Sequence, residues 1–257
     1  MGPVDPDDVM TRACAPPDAV LRYATHADGL VDVYLPAGPS RPRPLVFLVH
    51  GGFWRQEYDR RHVRPMATAL AAAGYVVAVP EYRRVGGAGG WPETGEDVDA
   101  ALRAVPGLLA GVGVPTSTTT LLGHSAGGHL VLWLANQPQP IDRVVALAPV
   151  GDLRAAAAHG LGAGAAVALL GGTPDQVPDT YDAADPATRL RTRPGADVVV
   201  VHGDADVDVP VDNSRGLARS LEWLDHRELP GVDHFAVIDP LSEAWPEVRR
   251  AVSGPGG

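Results

Sequence analysis

The chain has 257 residues, which is enough for one α/β domain with a substantial core but short for two such domains. Hydrophobic residues make up 45% and charged residues 20% of the sequence, as in an ordinary soluble globular protein. The formal charge of -10 argues against nucleic acid or an anionic membrane as a partner, because a polyanion would be repelled. The sequence contains arginine but no lysine, which excludes mechanisms that need a lysine: Schiff-base, P-loop-lysine and Ser-x-x-Lys chemistry.

Residues 1–20 contain several prolines and acidic residues with little periodicity. They predict either a loosely ordered arm or a flap over the mouth of a pocket. The segment has neither the positive start nor the apolar core of a secretory signal, and we expect a cytoplasmic protein without a membrane partner. Cys14 is the only cysteine, which excludes an internal disulfide and a cysteine-rich zinc site.

Apolar runs and helical patterns alternate along the rest of the chain. We predict strands near residues 31–35, 45–49, 75–79, 118–122, 144–147 and 198–201, and a short extended stretch at 226–229. Helices are predicted at about 61–73, from about 93, at 128–136 and after Pro210. This alternation predicts a mainly parallel sheet with helices on both faces, within one domain that spans residues 1–257.

Residues 150–193 interrupt the alternation with alanine-rich and glycine-rich sequence. We predict a small helical cap here, which shapes the substrate pocket and whose glycines allow it to move as a lid. The glycines at 160, 162 and 164 are no dinucleotide-binding loop, because they follow alanines rather than a strand and lack the third glycine at the required offset.

The strand at 45–49 ends in His50-Gly51-Gly52-Phe53-Trp54. If a nucleophile lies nearby, the amides of Gly52 and Phe53 are candidates to stabilise a negatively charged oxygen, each contributing on the order of 3 kcal/mol. Otherwise the pattern is only a strand followed by a Gly-Gly turn. The aromatic pair has two interpretations: Trp54 contacts substrate, or both rings pack the loop onto the core.

Gly123-His124-Ser125-Ala126-Gly127 lies where the strand at 118–122 turns into the next helix. A serine on such a sharp strand-to-helix turn, flanked by glycines, indicates a nucleophile elbow. Ser125 is therefore the predicted nucleophile, and the amide of Ala126 the third oxyanion donor. We expect His124 and His129 to have structural or supporting roles.

An acid and a base are needed to complete a catalytic set. The strand at 198–201 leads into three aspartates, Asp204, Asp206 and Asp208, and a carboxylate at a strand end is what orients a general-base histidine. A calcium loop is excluded, because its glycine and glutamate positions hold Val209 and Arg215. His234, within Gly231-Val232-Asp233-His234-Phe235, is the candidate base.

In this combination the chain resembles the α/β-hydrolase superfamily, and within it the esterase and arylformamidase branch with His-Gly-Gly-Phe/Tyr-Trp and Gly-His-Ser-Ala-Gly motifs. The resemblance covers about residues 45–235, and the order Ser125, Asp206, His234 is the one expected of that superfamily. Its pattern His-Gly-x-x-Asp-x-x-Val-Pro places the acid at Asp206, which leaves the other two aspartates as supporting or solvated groups. The sequence departs from the His-Gly-Gly-Gly pattern of hormone-sensitive-lipase-like enzymes at Phe53 and Trp54.

The resemblance implies a serine hydrolase that cleaves a small carboxylic ester through an acyl-enzyme, with neither a metal nor an organic cofactor. The expected partner is a small-molecule ester or amide, and a homodimer is compatible with the sequence. N-formyl arylamine hydrolysis is the alternative within the class. Acyl transfer, cyclisation or a binding scaffold would use the same fold without hydrolysis.

Overall fold

The computed structural model describes residues 6–254, with the side chains of residues 6 and 7 excepted. Eight strands of the described chain form one sheet in the order β1-β2-β4-β3-β5-β6-β7-β8. The strands are β1 Ala19–Arg22, β2 Leu30–Tyr34, β3 Arg43–Val49, β4 Val76–Pro80, β5 Thr116–His124, β6 Arg143–Leu147, β7 Asp197–Gly203 and β8 Asp225–Leu229. β2 pairs antiparallel with β1 and β4, and all other neighbours are parallel, which confirms a mainly parallel sheet.

The strands in the middle of this sheet are apolar throughout because both of their faces are covered. Every residue of β4 and β6 is buried. Along β3, Leu45, Phe47 and Val49 belong to one core cluster, whereas Val46 and Leu48 belong to a second cluster on the opposite face. The continuous apolar runs of the sequence therefore follow from burial on both faces.

Helices cover both faces of the sheet. They are α1 Pro6–Met10, α2 Arg64–Ala72, α3 Glu93–Gly111, α4 Ala126–Leu134, α5 Leu153–Ala158, α6 Leu161–Leu170, α7 Pro178–Ala184, α8 Pro186–Arg189, α9 Asp212–Ser220 and α10 Trp245–Ser253, with 3-10 turns at Arg60–Val63 and Ala236–Ile238. α3, α4 and α9 contribute to the first cluster, and α2 and α10 to the second. The predicted helices are present, with α4 beginning two residues earlier than expected.

Four short helices, α5 to α8, connect β6 to β7 in place of the single helix of the other parallel crossovers. The carboxylate of Asp185 joins two of them, since it accepts hydrogen bonds from the amides of Leu153 and Ala187, each at 3.1 Å. α6 contains left-handed backbone at Gly162, Ala163 and Gly164. This segment occupies the region for which the sequence predicts a cap.

The sequence analysis did not predict α1, β1, α10 or the 3-10 turn at Ala236–Ile238. β1 is a four-residue edge strand in which every second residue is exposed. α10 packs onto the second cluster through Val248, Ala251 and Val252. Of the amino-terminal arm, residues 1–5 lie outside the described residues, and the described part begins with α1.

Candidate active site

Ser125 stands at the turn between β5 and α4 with φ 55° and ψ -117°, a strained conformation for a residue with a side chain. The flanking glycines are required by close backbone approach. A Cβ at Gly123 would lie 2.2 Å from the carbonyl oxygen of Gly127, and a Cβ at Gly127 would lie 2.1 Å from that of Val49. The elbow motif therefore packs directly against the end of β3.

The loop after β3 also has left-handed backbone, with φ 106° at Gly52, 49° at Phe53 and 55° at Trp54. Among the described residues, the amides of Gly52 and Phe53 donate to no acceptor. The amide of Ala126 opens α4, where the first amides of a helix have no intrahelical partner. Three amides at the ends of β3 and β5 are thus free to donate to a ligand.

The structure brings Asp206 and His234 together. Nδ1 of His234 lies 2.6 Å from Oδ2 of Asp206, and both side chains are buried. The amides of Asp208 and Val209 donate to Oδ1 at 2.9 and 2.8 Å. Burial raises the pKa of Asp206, but the hydrogen bonds from His202 and His234 outweigh burial and hold that pKa well below its usual range. An ionised carboxylate facing Nδ1 fixes the proton of His234 there and leaves Nε2 free to act as a base.

Ser125 and His234 line the same small cavity, of about 100 Å³. Gly52 and Phe53 also line it, as does Met10 at the end of α1. The predicted nucleophile, base and oxyanion loop therefore meet at one opening at the carboxyl ends of the parallel strands, which is where ligands bind in open α/β sheets.

The arm that carries Met10 is held by core packing and by a clasp, an ion pair between Arg12 and Asp239. Val9 is buried in the second core cluster. Arg12 forms a two-pronged ion pair with Asp239, in which Nη2 lies 3.0 Å from Oδ2, and this partner lowers the pKa of Asp239. Asp239 follows His234 by five residues, so the arm is tied to the loop that bears the predicted base.

His202, at the end of β7, was not predicted to contribute to the site. Its Nε2 lies 3.1 Å from Oδ2 of Asp206 and 2.9 Å from the carbonyl oxygen of Val209, so Nε2 carries a proton and donates. The hydroxyl of Ser214 lies 2.7 Å from the other ring nitrogen. His202 thus donates to the same carboxylate oxygen as His234. The signal that points to it is its place as the first residue of the His-Gly motif, four residues before Asp206.

His50 and Glu81 form a second unpredicted pair, beneath the oxyanion loop. Nδ1 of His50 faces the carbonyl oxygen of Gly51 at 2.9 Å, and Nε2 faces Oε1 of Glu81 at 2.8 Å. Each ring nitrogen of the buried His50 therefore faces a hydrogen-bond acceptor. Burial raises the pKa of Glu81, but the charges of His50 and Arg84 and the hydrogen bond from His50 outweigh it and lower that pKa to about 2.

Three other buried histidines near the site are neutral. Burial and the charge of His50 lower the pKa of His62 to about 3. Burial, followed by the charge of His234, lowers the pKa of His124 well below its usual value, and burial lowers that of His129 to about 4. His129 donates from Nε2 to the carbonyl oxygen of Ala184 at 3.1 Å, which fits the structural role expected for it.

Trp54 lies outside the cavity, although the sequence analysis named it as a candidate substrate contact. Its side chain is 1% exposed and belongs to the first core cluster, where it packs edge-on against His129 at 5.1 Å between ring centroids. The backbone is left-handed at residues 53 and 54, and Phe53 is the residue of this pair that lines the cavity. The position of Trp54 corresponds to the packing interpretation.

Within residues 6–254, none of the helices combines the length and the apolar character that spanning a membrane requires. Nor does any cluster of three or more His, Cys, Asp or Glu side chains in the same range have an arrangement that would hold a metal ion.

Comparison with known proteins places this chain in a family. The family model BD-FAE matches residues 31–221. Esterase LipC of Mycobacterium tuberculosis is 27% identical over 228 residues, which cover 78% of this chain and 55% of LipC. A relative named "Probable carboxylic ester hydrolase LipM", of the same organism, is 31% identical over 87 residues, which cover 34% of this chain and 20% of LipM. The chain thus spans about half the length of LipC and a fifth of that of LipM.

Solved structures show the same architecture. A truncated carbohydrate esterase from gut microbiota superposes with a TM-score of 0.77 at 19% identity, covering 98% of both chains. Esterase B from Lactobacillus rhamnosis HN001 superposes with a TM-score of 0.76 at 20% identity, covering 95% of this chain and 87% of its own. These likenesses establish the fold, and the family match covers more than half of the sequence. The chain belongs to the BD-FAE family, an esterase family with the α/β-hydrolase fold.

Proposed function

We propose that this protein is a serine hydrolase that cleaves small carboxylic esters, with Ser125 as nucleophile, His234 as general base and Asp206 as the orienting acid. The observation that carries the proposal is the 2.6 Å contact between Nδ1 of His234 and Oδ2 of Asp206. His234 in turn lines the same cavity as Ser125. The similarity to LipC and LipM, both named as ester hydrolases, supports the same reaction.

In the first half-reaction, Nε2 of His234 takes the hydroxyl proton of Ser125 while Oγ attacks the ester carbonyl carbon. The carbonyl oxygen becomes negatively charged, and the free amides of Gly52, Phe53 and Ala126 stabilise it. Each such donor contributes on the order of 3 kcal/mol in a preorganised site. The protonated His234 then gives its proton to the alcohol oxygen as the bond to carbon breaks, which leaves the acyl group on Ser125.

In the second half-reaction, His234 removes a proton from water, which attacks the acyl carbon. The same amides stabilise the second oxyanion, and the acid leaves as Oγ of Ser125 regains its proton. The imidazolium formed in each step faces the ionised carboxylate of Asp206, and the low pKa of that carboxylate keeps the charge in place.

The size of the cavity supports a small substrate. Its volume of about 100 Å³ is small beside the roughly 300–1,000 Å³ of pockets that take drug-sized ligands. An acyl group of a few carbons fits such a space, whereas a long straight chain would extend beyond it. The side chains of Phe53, Tyr58 and Phe235 supply the apolar part of the wall.

The proposal is tested with p-nitrophenyl acetate and a fluorophosphonate probe. We expect Ser125→Ala to lower kcat by about 10⁶ with the fold intact, and Asp206→Asn to lower it by about 10⁴ because the base loses its orienting acid. The probe should label the native protein and not the Ser125→Ala variant. Equal labelling of both proteins, or undiminished turnover by Ser125→Ala, would refute the assignment.

N-formyl arylamine hydrolysis is a second candidate, favoured by the combination of a small cavity with three aromatic side chains. A formyl group is the smallest acyl group, and an aromatic leaving group would pack against these rings. Turnover of N-formylkynurenine that exceeds turnover of p-nitrophenyl acetate in kcat/KM would favour this candidate. Formation of an acetylated product in the presence of a competing alcohol would instead identify acyl transfer.

We further propose that residues 150–193 act as a cap on the site and that the amino-terminal arm completes its wall. The guanidinium of Arg55 donates to the carbonyl oxygen of Gly162, and a Cβ at Gly162 would lie 2.5 Å from the ring of Phe53. The cap thus packs directly on the oxyanion loop.

We propose that the protein is located in the cytoplasm. The single cysteine, Cys14, is exposed and supports this location, and cell fractionation tests the proposal.

A further inference from the structure

Asp208 is the feature of the cavity that the proposed reaction leaves unused. It lines the cavity together with Ser125 and His234 and is half-buried. Its amide donates to Oδ1 of Asp206 at 2.9 Å, which holds residue 208 on the cavity wall. Among the described residues, its own carboxylate accepts no hydrogen bond and forms no ion pair.

The other titratable side chains on this wall do not balance that carboxylate. His62 and His124 are neutral because burial lowers their pKa values. His234 is already paired with Asp206. No arginine lines the described cavity, and the sequence contains no lysine. Asp208 therefore leaves an uncompensated negative charge beside the reacting atoms.

A charge on a partly desolvated wall acts on a bound ligand more strongly than the same charge in water, because the effective dielectric constant is lower. It attracts a ligand cation and repels a ligand carboxylate. The overall charge of -10 adds a weaker, screened contribution of the same sign.

We propose that Asp208 selects substrates by charge, so that the site favours esters with a cationic group near the scissile bond and disfavours esters with a carboxylate there. This inference rests on the proposed function, since it concerns the specificity of the same cavity. It assigns to Asp208 a role in substrate choice rather than in the proton transfers, which His234 and Asp206 carry out.

Three p-nitrophenyl esters test the proposal: the neutral pentanoate, the anionic hemisuccinate and the cationic 4-(trimethylammonio)butyrate. They share a leaving group, and ratios of kcat/KM between native protein and variant cancel their different intrinsic reactivities. In Asp208→Asn we expect kcat/KM for the hemisuccinate to rise about tenfold relative to the pentanoate, and that for the cationic ester to fall about tenfold. Salt at about 1 M should reduce both differences in the native protein.

Glu222→Gln is the matched control, because it removes one carboxylate from an exposed position before β8, at the amino ends of the strands. We expect it to leave both ratios within about twofold of the native values. Asp208→Arg should reverse the order of the two charged esters. Unchanged ratios in Asp208→Asn, or equal shifts in Glu222→Gln, would overturn the inference. Turnover of the pentanoate that survives Ser125→Ala would instead overturn the proposed function, so the two failures are distinguishable.

Discussion

Nε2 of His124 lies 2.9 Å from the carbonyl oxygen of His234 and donates to it. The residue that occupies the variable position of the elbow thus holds the backbone of the predicted base, 110 residues further along the chain. The two rings also touch, with 4.6 Å between their centroids. The serine and the histidine of the site are therefore positioned by one continuous set of contacts.

Replacing His124 should separate these two groups. We expect His124→Leu to lower the free energy of unfolding by about 1–3 kcal/mol, because the carbonyl of His234 loses its donor. A displaced His234 should lower kcat by up to about 10². In His124→Gln the side-chain amide can reach the same oxygen, so this variant should retain more of the stability and more of the activity than His124→Leu. Steady-state kinetics and denaturant unfolding measure the effects, and identical values for the two variants would show that the hydrogen bond is unimportant.

His202 is predicted to act as a positioning residue for Asp206. Without it, the carboxylate of Asp206 loses one hydrogen-bond donor, so its negative charge acts more strongly on His234. We therefore expect the acid limb of the kcat/KM profile to move to higher pH in His202→Leu. Ser214→Ala removes the other side-chain contact of the His202 ring. We expect this variant to move the acid limb in the same direction, but by a smaller amount. A uniform loss of kcat at all pH values would indicate a structural role alone.

Gly162 and Gly164 form a matched pair for testing the contact between the cap and the oxyanion loop. Both have positive φ, so alanine costs about 1–2 kcal/mol of backbone strain at either position. Only at Gly162 would the new Cβ meet the ring of Phe53, whereas at Gly164 it would meet nothing within 4 Å. We expect Gly162→Ala to lower kcat/KM for p-nitrophenyl acetate by up to about 10², as if an oxyanion donor were misplaced, and Gly164→Ala to change it little. Similar kinetics for both variants would show that Phe53 tolerates displacement.

Stability should fall as the pH decreases from about 6.5. The folded pKa values of His62 and His129, about 3 and about 4, lie below the ordinary value of 6.5, so the unfolded chain binds more protons in this window and acidification favours unfolding. Asp185 has the opposite effect on stability. Burial raises its pKa from 3.8 to about 6, so between these pH values the folded state binds more protons at Asp185 than the unfolded chain does. Each titrating group contributes up to about 1.4 kcal/mol per pH unit.

Denaturant unfolding between about pH 4 and pH 7 tests these signs. His129→Gln should flatten the dependence of the unfolding free energy on pH, whereas Asp185→Asn should make it steeper. Parallel curves for the native protein and both variants would show that neither group titrates differently in the two states.

The sheet could be predicted because its central strands are buried on both faces and read as unbroken apolar runs, as in Val76–Pro80. β1 carried no such signal, since it alternates and leaves Val20 52% exposed at the edge. α10 is a short amphipathic helix whose apolar face becomes recognisable only when the second core cluster is known.

Within the site, Ser125 and His234 belong to short local motifs and could be predicted from them. The pairing of His50 with Glu81 could not, because it depends on the order of strands. His50 follows β3 and Glu81 follows β4, and these strands are parallel neighbours whose carboxyl ends meet. The position of Trp54 depended in the same way on backbone dihedral angles that no sequence pattern specifies.

The clasp between Arg12 and Asp239 has a consequence for how the protein is made. Asp239 follows Arg12 by 227 residues, so it leaves the ribosome well after its partner. During synthesis, this ion pair therefore cannot hold the segment that carries Met10 until residue 239 has emerged. A nascent chain stalled before residue 239 would contain the elbow and the oxyanion loop and still lack a finished binding cleft.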